Sequence, residues 1–310
     1  MRALTKASIQ GLFGRLPGGP HLYRNLTRAR MGTQGSHIDK LARAWPGYVE
    51  TWARYGLGLE GKHLWMHDGA WTPYPFLLMY LLTGHGGTVT MWEGELEDRY
   101  TAKAIEFGLR QRFEGVEIPE SRFERLRSLQ GAGAKELVLA LGGVWLRADR
   151  VRPQLEPGSV DLLLTGGVLE HFRPDELDGF LSQSRVVLRS GAWASHVFDL
   201  RDHLYHADKS LPFLNHLRFS DRAYNLLFGH RLGYHNRLLP HELRAAVERA
   251  GFEVVAMRRR ILPAEKYAES PEEFQGALVG LERDQLATRF QGATDEDLRT
   301  VAVQFLCRIR

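Results

Sequence analysis

The sequence is poor in cysteine and has no long apolar run. Its 310 residues include one cysteine, Cys307, which excludes an internal disulfide and favours a reducing compartment such as the cytoplasm. No stretch reaches the roughly 18 consecutive apolar residues of a transmembrane helix. The basic N-terminus is not followed by a continuous apolar segment and a cleavage site, so no signal peptide is predicted.

A strong charge imbalance is also missing. The 41 lysines and arginines and the 37 acidic residues give a net charge of +4. The basic residues are dispersed apart from residues 24–30 and 258–260, without the aromatic-interleaved stripe typical of nucleic-acid binding. We therefore expect solvated surface charge, no nucleic-acid partner and a small-molecule substrate. The hydrophobic content of 44% suffices for a substantial core.

The most informative segment is residues 160–199, which reads as strand, loop, helix and strand. Residues 160–165 form an apolar run between glycines, which is typical of a strand buried in a parallel sheet. Pro174 marks the first turn of a helix that is predicted to end at Ser190 and Gly191, before a strand at 193–198. Strands joined in this way are parallel. The loop after the first strand therefore opens at the carboxyl edge of the sheet, where such sheets bind ligands.

Within this segment, Asp161 opens the first strand, the following loop ends in Leu169-Glu170-His171, and Arg185 begins a second motif that ends at Gly191. This arrangement resembles the fourth and fifth motifs of class I S-adenosylmethionine-dependent methyltransferases, although Ala192 replaces the second glycine of the turn. The resemblance implies an α/β, Rossmann-like fold with a seven-stranded, mainly parallel sheet of order 3214576 and an antiparallel last strand. It also implies S-adenosylmethionine as cofactor.

The resemblance covers about residues 59–310, and it divides the chain into an N-terminal helical cap (1–58) and a methyltransferase domain (59–310). The predicted elements of that domain, listed in chain order, are strand 63–67, helix 74–82, strands 88–92, Val144–Arg147 and 160–165, the helix from Pro174, strand 193–198, helix 240–250, strand 252–257, a helical region at 266–299 and strand 301–309. Residues 200–237 are an insertion rich in aromatic residues and histidine, which we expect to act as a lid on the substrate side.

The first turn departs from the family pattern. The usual acidic position falls on Met66 and the two usual glycines fall on Asp68 and Ala70, so Gly69 is the glycine that remains. In one interpretation the cradle is rebuilt, and Asp68 binds the ammonium group of the cofactor. In the other, the turn has lost cofactor affinity and merely caps the next helix.

The remaining cofactor positions follow from the resemblance. Glu93, after the second strand, is predicted to accept hydrogen bonds from the ribose hydroxyls, or else it is one member of an exposed acidic cluster. Asp149, after the third strand, matches the acceptor for the adenine amino group, or else it is a turn residue. The end of the fourth strand and its loop supply Thr165, Glu170 and His171.

Three histidines and three aspartates lie within residues 196–208. One hypothesis makes His203 the general base of methyl transfer, oriented by Asp199 or Asp202. A second hypothesis is a divalent metal site of Asp199, Asp202, His203 and His206. In a third, these groups only fix an irregular loop. The predicted set has His203, Asp199 and Asp202 as catalytic residues and no metal ligand.

The predicted function is transfer of a methyl group from S-adenosylmethionine to a hydroxyl group, with an amine as the second choice, of a small-molecule, glycan or natural-product acceptor. The alternative is a non-catalytic relative that binds a ligand or a partner protein. The altered first turn favours this alternative, whereas Glu93, Asp149 and the pair of Glu170 and His171 favour the enzyme.

Overall fold

Four short apolar strands form the first half of the sheet. The computed structural model describes residues 2–19, 22–23, 26, 36–67, 72–91, 95–149, 151–206, 208, 210–230, 232–261, 266–268 and 282–310. The four strands are β1 (Leu64–His67), β2 (Thr88–Met91), β3 (Val144–Arg147) and β4 (Val160–Gly166). β1 pairs in parallel with β2 and β4, and β2 pairs in parallel with β3. Every residue of β1 and β2 is buried, as expected for parallel strands that are covered on both faces.

The second half contains β5 (Leu188–Asp199), β6 (Phe252–Ile261), β7 (Lys266–Ala268) and β8 (Thr300–Ile309). The strand order is β3-β2-β1-β4-β5-β8-β6-β7. Leu200 N donates a hydrogen bond of 2.9 Å to Val301 O, so the end of β5 meets the start of β8 and these strands are antiparallel. With β8 as the seventh strand and β7 as a short addition at the edge, this order confirms the predicted class I methyltransferase fold.

Eleven helices are described, and they are listed here in chain order. They are α1 (Arg2–Arg15), α2 (Ser36–Arg54), α3 (Tyr74–Thr83), α4 (Thr101–Arg110), α5 (Glu120–Ser128), α6 (Ala134–Ala140), α7 (Pro174–Val187), α8 (Asp221–Phe228), α9 (Pro240–Arg249), α10 (Thr288–Gln291) and α11 (Asp295–Arg299). α3 has a proline in its first turn and ends at Gly84, whose φ of 83° suits glycine. Among the described residues, no helix is long and apolar enough to cross a membrane.

Two local predictions were wrong. α7 ends at Val187, and β5 begins at once and passes through the predicted turn, because Gly191 adopts a φ of 74° within the strand. Residues 266–268 form a strand instead of a helix, since they pair with β6, while residues 269–281 lie outside the described part.

The chain separates into two compact units. The first unit comprises residues 34–166, 179–196 and 308–310, and its fully buried aromatic side chains include Trp45, Trp52, Trp65, Tyr74, Phe76 and Phe180. The second unit comprises the described residues of 1–33, 167–178 and 197–307, and it buries Phe172, Phe198, Phe290 and Phe305. The cap at 1–58 and the lid at 200–237 stay predictions.

Candidate active site

Thr165 lies within β4, and the other residues predicted to bind the cofactor follow β1, β2, β3 or β4 along the chain. Asp68, Gly69 and Glu93 are outside the described residues, so their contacts stay predictions. Asp149 is exposed, and its carboxylate accepts a hydrogen bond of 2.8 Å from the backbone N of Val151. That contact is typical of an aspartate in a turn, yet a carboxylate can accept further hydrogen bonds.

A buried polar pair joins the ends of β4 and β5 within the first unit. Thr165 and His196 are both fully buried, and Thr165 Oγ1 lies 3.0 Å from His196 Nδ1. Burial lowers the pKa of His196 to about 3, because the charged imidazolium is poorly solvated there. His196 is therefore neutral at physiological pH. Thr165 was predicted to bind the cofactor, and its contact with a histidine was not predicted.

A second buried polar group links β1 to β2. Trp65 Nε1 donates a hydrogen bond of 2.8 Å to Thr90 Oγ1, which lies 2.7 Å from His67 Nδ1. Because the indole can only donate, the Thr90 hydroxyl accepts from Trp65, and its own hydrogen can be donated to His67. This group was not predicted, although polar residues in otherwise apolar strands could have indicated it.

The loop after β4 is held by a segment far along the chain. Leu169–His171 forms a single 3₁₀ turn in which Glu170 is buried. Asn236 clamps this turn, since its backbone N donates to Glu170 O at 2.7 Å and its Nδ2 donates to Leu169 O at 3.0 Å. We refer to residues 234–237 as the strap, because this segment holds the turn at Leu169–His171 in place.

The strap also fixes the tautomer of His171. The Nδ1 atom of His171 lies 3.0 Å from the carbonyl oxygen of Tyr234. A carbonyl oxygen can only accept, so Nδ1 must carry the hydrogen of this bond. In the neutral ring, Nε2 is then the atom with a lone pair that can accept a proton or bind a metal ion.

His235 of the strap is held neutral by two hydrogen bonds. Its Nε2 lies 2.8 Å from the carbonyl oxygen of Asp199, and its Nδ1 accepts from the backbone N of Arg237 at 3.2 Å. The ring must therefore carry its hydrogen on Nε2 and be unprotonated on Nδ1. Burial, followed by the nearby His171, lowers its pKa to about 4, so the ring is neutral at physiological pH.

Within the second unit, four histidine rings lie side by side. The ring centroids are 4.8 Å apart for His171 and His203, 5.4 Å for His203 and His235, and 5.0 Å for His216 and His235. Glu170, His171 and His203 each offer one ligand atom, and these atoms all lie within 4.8 Å of one another. We call these three residues the triad. Glu170 and His171 were predicted to bind the cofactor and His203 to act on the acceptor, so their grouping was not predicted.

The two aspartates predicted to orient His203 have other partners. Asp199 binds the guanidinium of Arg201 through hydrogen bonds of 2.8 and 2.6 Å. Burial alone would raise the pKa of Asp199, but Arg201 and then His203 outweigh it and lower this pKa to about 2. Asp202 accepts from Leu204 N at 2.8 Å and from Asn215 Nδ2 at 2.9 Å. Both carboxylates thus help to fix the loop. Their catalytic role stays a prediction, and so does the metal site that includes His206.

Arg237 anchors the strap to the insertion at 200–237. It is buried, has a φ of 56°, and donates through Nη1 to His216 O at 3.1 Å and to Phe219 O at 2.6 Å. Its Nη2 binds Asp221, and its guanidinium lies 4.1 Å from the ring centroid of Tyr224. One side chain therefore ties the strap to several turns of the insertion.

Replacing Arg237 with alanine should destabilise the fold by about 3–5 kcal/mol, because it leaves buried carbonyl groups without their donor and removes one side of an ion pair. Urea unfolding would measure the change. Arg289→Ala is the matched control, since Arg289 is more exposed and binds the same Asp221 at 3.3 Å. We expect a loss of only about 0–1 kcal/mol for this control. Equal losses in the two variants would contradict the anchoring role of Arg237.

Comparison with known proteins yields fold similarity. No family model and no curated protein matches the chain. A solved S-adenosylmethionine-dependent methyltransferase from Mesorhizobium loti has a TM-score of 0.43 and 11% identity, over 87% of this chain and 99% of that chain. A similar enzyme from Archaeoglobus fulgidus has a TM-score of 0.43 and 12% identity, over 92% and 99% of the two chains. Geranyl diphosphate C-methyltransferase from Streptomyces coelicolor A3(2) has a TM-score of 0.44 and 13% identity, over 91% of this chain and 88% of that chain.

Proposed function

We propose that this protein is an enzyme that transfers a methyl group from S-adenosylmethionine to a hydroxyl oxygen of a small-molecule acceptor. The observation that carries the proposal is the triad. Glu170 and His171 lie in the loop after β4, and His203 follows β5. Loops at the carboxyl ends of parallel strands are where folds of this class bind ligands. The triad thus supplies proton-accepting groups where the acceptor is expected.

The cofactor residues form the second part of the proposal. S-adenosylmethionine supplies an electrophilic methyl group when bound. At Gly166, an added Cβ atom would meet one neighbour, the Tyr48 hydroxyl at 3.4 Å, so the backbone at the end of β4 is left largely uncovered. Asp149 presents an exposed carboxylate for the adenine amino group. We propose that Glu93 binds the ribose hydroxyls and that Asp68 and Gly69 hold the methionine end.

The chemistry of the acceptor forms the third part. Methyl transfer from a sulfonium is an in-line displacement, to which a protein contributes alignment and, for a hydroxyl acceptor, removal of a proton. Nε2 of His171 bears a lone pair, as the bond from Nδ1 to Tyr234 O requires. Glu170 is a buried carboxylate beside it. Together with His203, the third member, these groups support proton removal by the triad.

Calorimetry with S-adenosylmethionine and S-adenosylhomocysteine tests the proposal. We expect one equivalent of each ligand to bind, and methylated products to form from a panel of hydroxylated small molecules. If neither ligand binds the folded protein, the enzyme proposal fails, and the non-catalytic alternative takes its place.

Replacing Glu93 with alanine should weaken cofactor binding by about 1.5–3 kcal/mol, the scale for a pair of charge-assisted hydrogen bonds. The exposed Glu95 lies two residues away, so Glu95→Ala is a matched control that should bind the cofactor like the native protein. Calorimetry on both variants measures the difference, and circular dichroism checks the fold. Unchanged affinity in folded Glu93→Ala would remove Glu93 from the cofactor site.

A further inference from the structure

The triad has the composition of a metal site with two histidines and one carboxylate. Its ligand atoms lie within 4.8 Å of one another. We infer that Glu170, His171 and His203 bind one divalent transition-metal ion, such as Zn²⁺, Co²⁺ or Mn²⁺. Imidazole and carboxylate ligands suit these ions, and three protein ligands leave at least one coordination position for an oxygen of the acceptor.

The spacing of the triad requires only a small contraction. An ion at about 2.0–2.2 Å from each ligand atom would place these atoms about 3–3.5 Å apart. The side chains must therefore close by at most about 1.8 Å. His203 is only partly buried and begins a short 3₁₀ turn, so rotation of its side chain can supply this movement.

The surroundings of His171 are those of a metal ligand. Metal-binding histidines almost always donate their other ring N–H to a carbonyl or carboxylate group, which fixes the ring and its tautomer. The bond of His171 Nδ1 to Tyr234 O has this form and leaves Nε2 as the ligand atom. The neighbouring Asn236 fixes the backbone of Glu170 at the same time.

His235 does not add a fourth ligand, although it lies next to the triad. Both of its ring nitrogens are engaged, one with Asp199 O and the other with Arg237 N. Structural zinc sites have four protein ligands, whereas catalytic sites have three and an open position. Because the strap engages His235, the site has three protein ligands and an open position, as catalytic zinc sites do.

The role of the ion in catalysis rests on the proposed function, but binding of the ion does not. With the ion bound, Glu170, His171 and His203 would hold it and would no longer accept the proton themselves. The ion would lower the pKa of an acceptor hydroxyl group, whose proton would pass to the solvent. Methyl transfer would then form an O–CH₃ bond as the S–CH₃ bond breaks, with the bonding electron pair left on the sulfur of S-adenosylhomocysteine.

Metal binding can be measured on the full chain without a histidine tag. After removal of metals with a chelator and dialysis, the protein is titrated with ZnCl₂ and CoCl₂ in a calorimeter. We expect one equivalent to bind, and we expect His203→Ala and Glu170→Gln each to weaken binding at least about tenfold. His241→Ala is the control, because His241 is exposed and binds Asp297 instead of the triad, so this variant should bind as the native protein does.

The Co²⁺ absorption spectrum provides a second readout, since ligand-field bands of bound Co²⁺ should be present in the native protein and lost in His203→Ala. If circular dichroism shows that His203→Ala is unfolded, His203→Asn replaces it. Absence of stoichiometric binding in the native protein, or native affinity in both folded triad variants, would overturn the inference. If the protein binds the metal but not S-adenosylmethionine, the proposed function is rejected and the metal site is kept. If methyl transfer survives complete chelation, only the catalytic role of the ion is rejected.

Discussion

Replacing His203 with alanine should lower the turnover of methyl transfer by about 10²–10⁴-fold, the range for losing the group that promotes proton removal. Its ring lies 4.8 Å from that of His171, and its ligand atom belongs to the triad. Cofactor affinity should stay nearly unchanged, because the variant leaves the proposed adenosine contacts intact. Steady-state kinetics measures turnover, and calorimetry measures the affinity.

Chelation distinguishes the two catalytic roles of His203. As a metal ligand, His203 acts through the ion, so we expect a chelator to abolish activity and Zn²⁺, Co²⁺ or Mn²⁺ to restore it. Turnover that survives chelation but is lost in His203→Ala would return His203 to the role of general base. If turnover survives both chelation and His203→Ala, the insertion at 200–237 has only a structural role as a lid, and alignment of the substrates alone accounts for catalysis. His241→Ala again serves as the control and should keep native kinetics.

The fold was largely predictable because its strongest signals are local. The apolar run of β4, the proline that opens α7 and the spacing to the next strand lie in one continuous segment, and together they define a parallel crossover. Local signals failed where tertiary pairing decides the structure. Gly191 suggested a turn, yet pairing in the sheet carries β5 through it, and pairing with β6 makes residues 266–268 a strand.

The site was only partly predictable, because its geometry depends on contacts between distant segments. Glu170, His171 and His203 were each selected from local motifs, but nothing in the spacing shows that they share one cluster. The strap was missed for the same reason. His235 was identified only as one of many histidines in the insertion, whereas its hydrogen bonds to Asp199 O and Arg237 N assign it a structural role.

Acidification should destabilise the protein through His196, which is fully buried beside Thr165. Burial lowers its pKa in the folded state from 6.5 to about 3. Below pH 6.5 the unfolded chain therefore takes up a proton that the folded protein does not, and this favours unfolding. The stabilising effect of the neutral ring is complete above pH 6.5 and is lost as the pH falls toward 3, at up to about 1.4 kcal/mol per pH unit.

The contribution of His196 can be isolated by comparing the pH dependence of variants. His196→Asn keeps a polar group beside Thr165 but cannot titrate. Between pH 6.5 and 5, its free energy of unfolding should therefore fall by about 2 kcal/mol less than that of the native protein. Ser195→Ala is the matched control, because Ser195 is the buried neighbour in β5 and does not titrate. Any loss of stability in this control should be the same at every pH, so it should keep the native slope. Urea unfolding at several pH values, with metals removed, measures the slopes. Equal slopes in His196→Asn and the native protein would mean that His196 is protonated as readily in the folded state as in the unfolded chain.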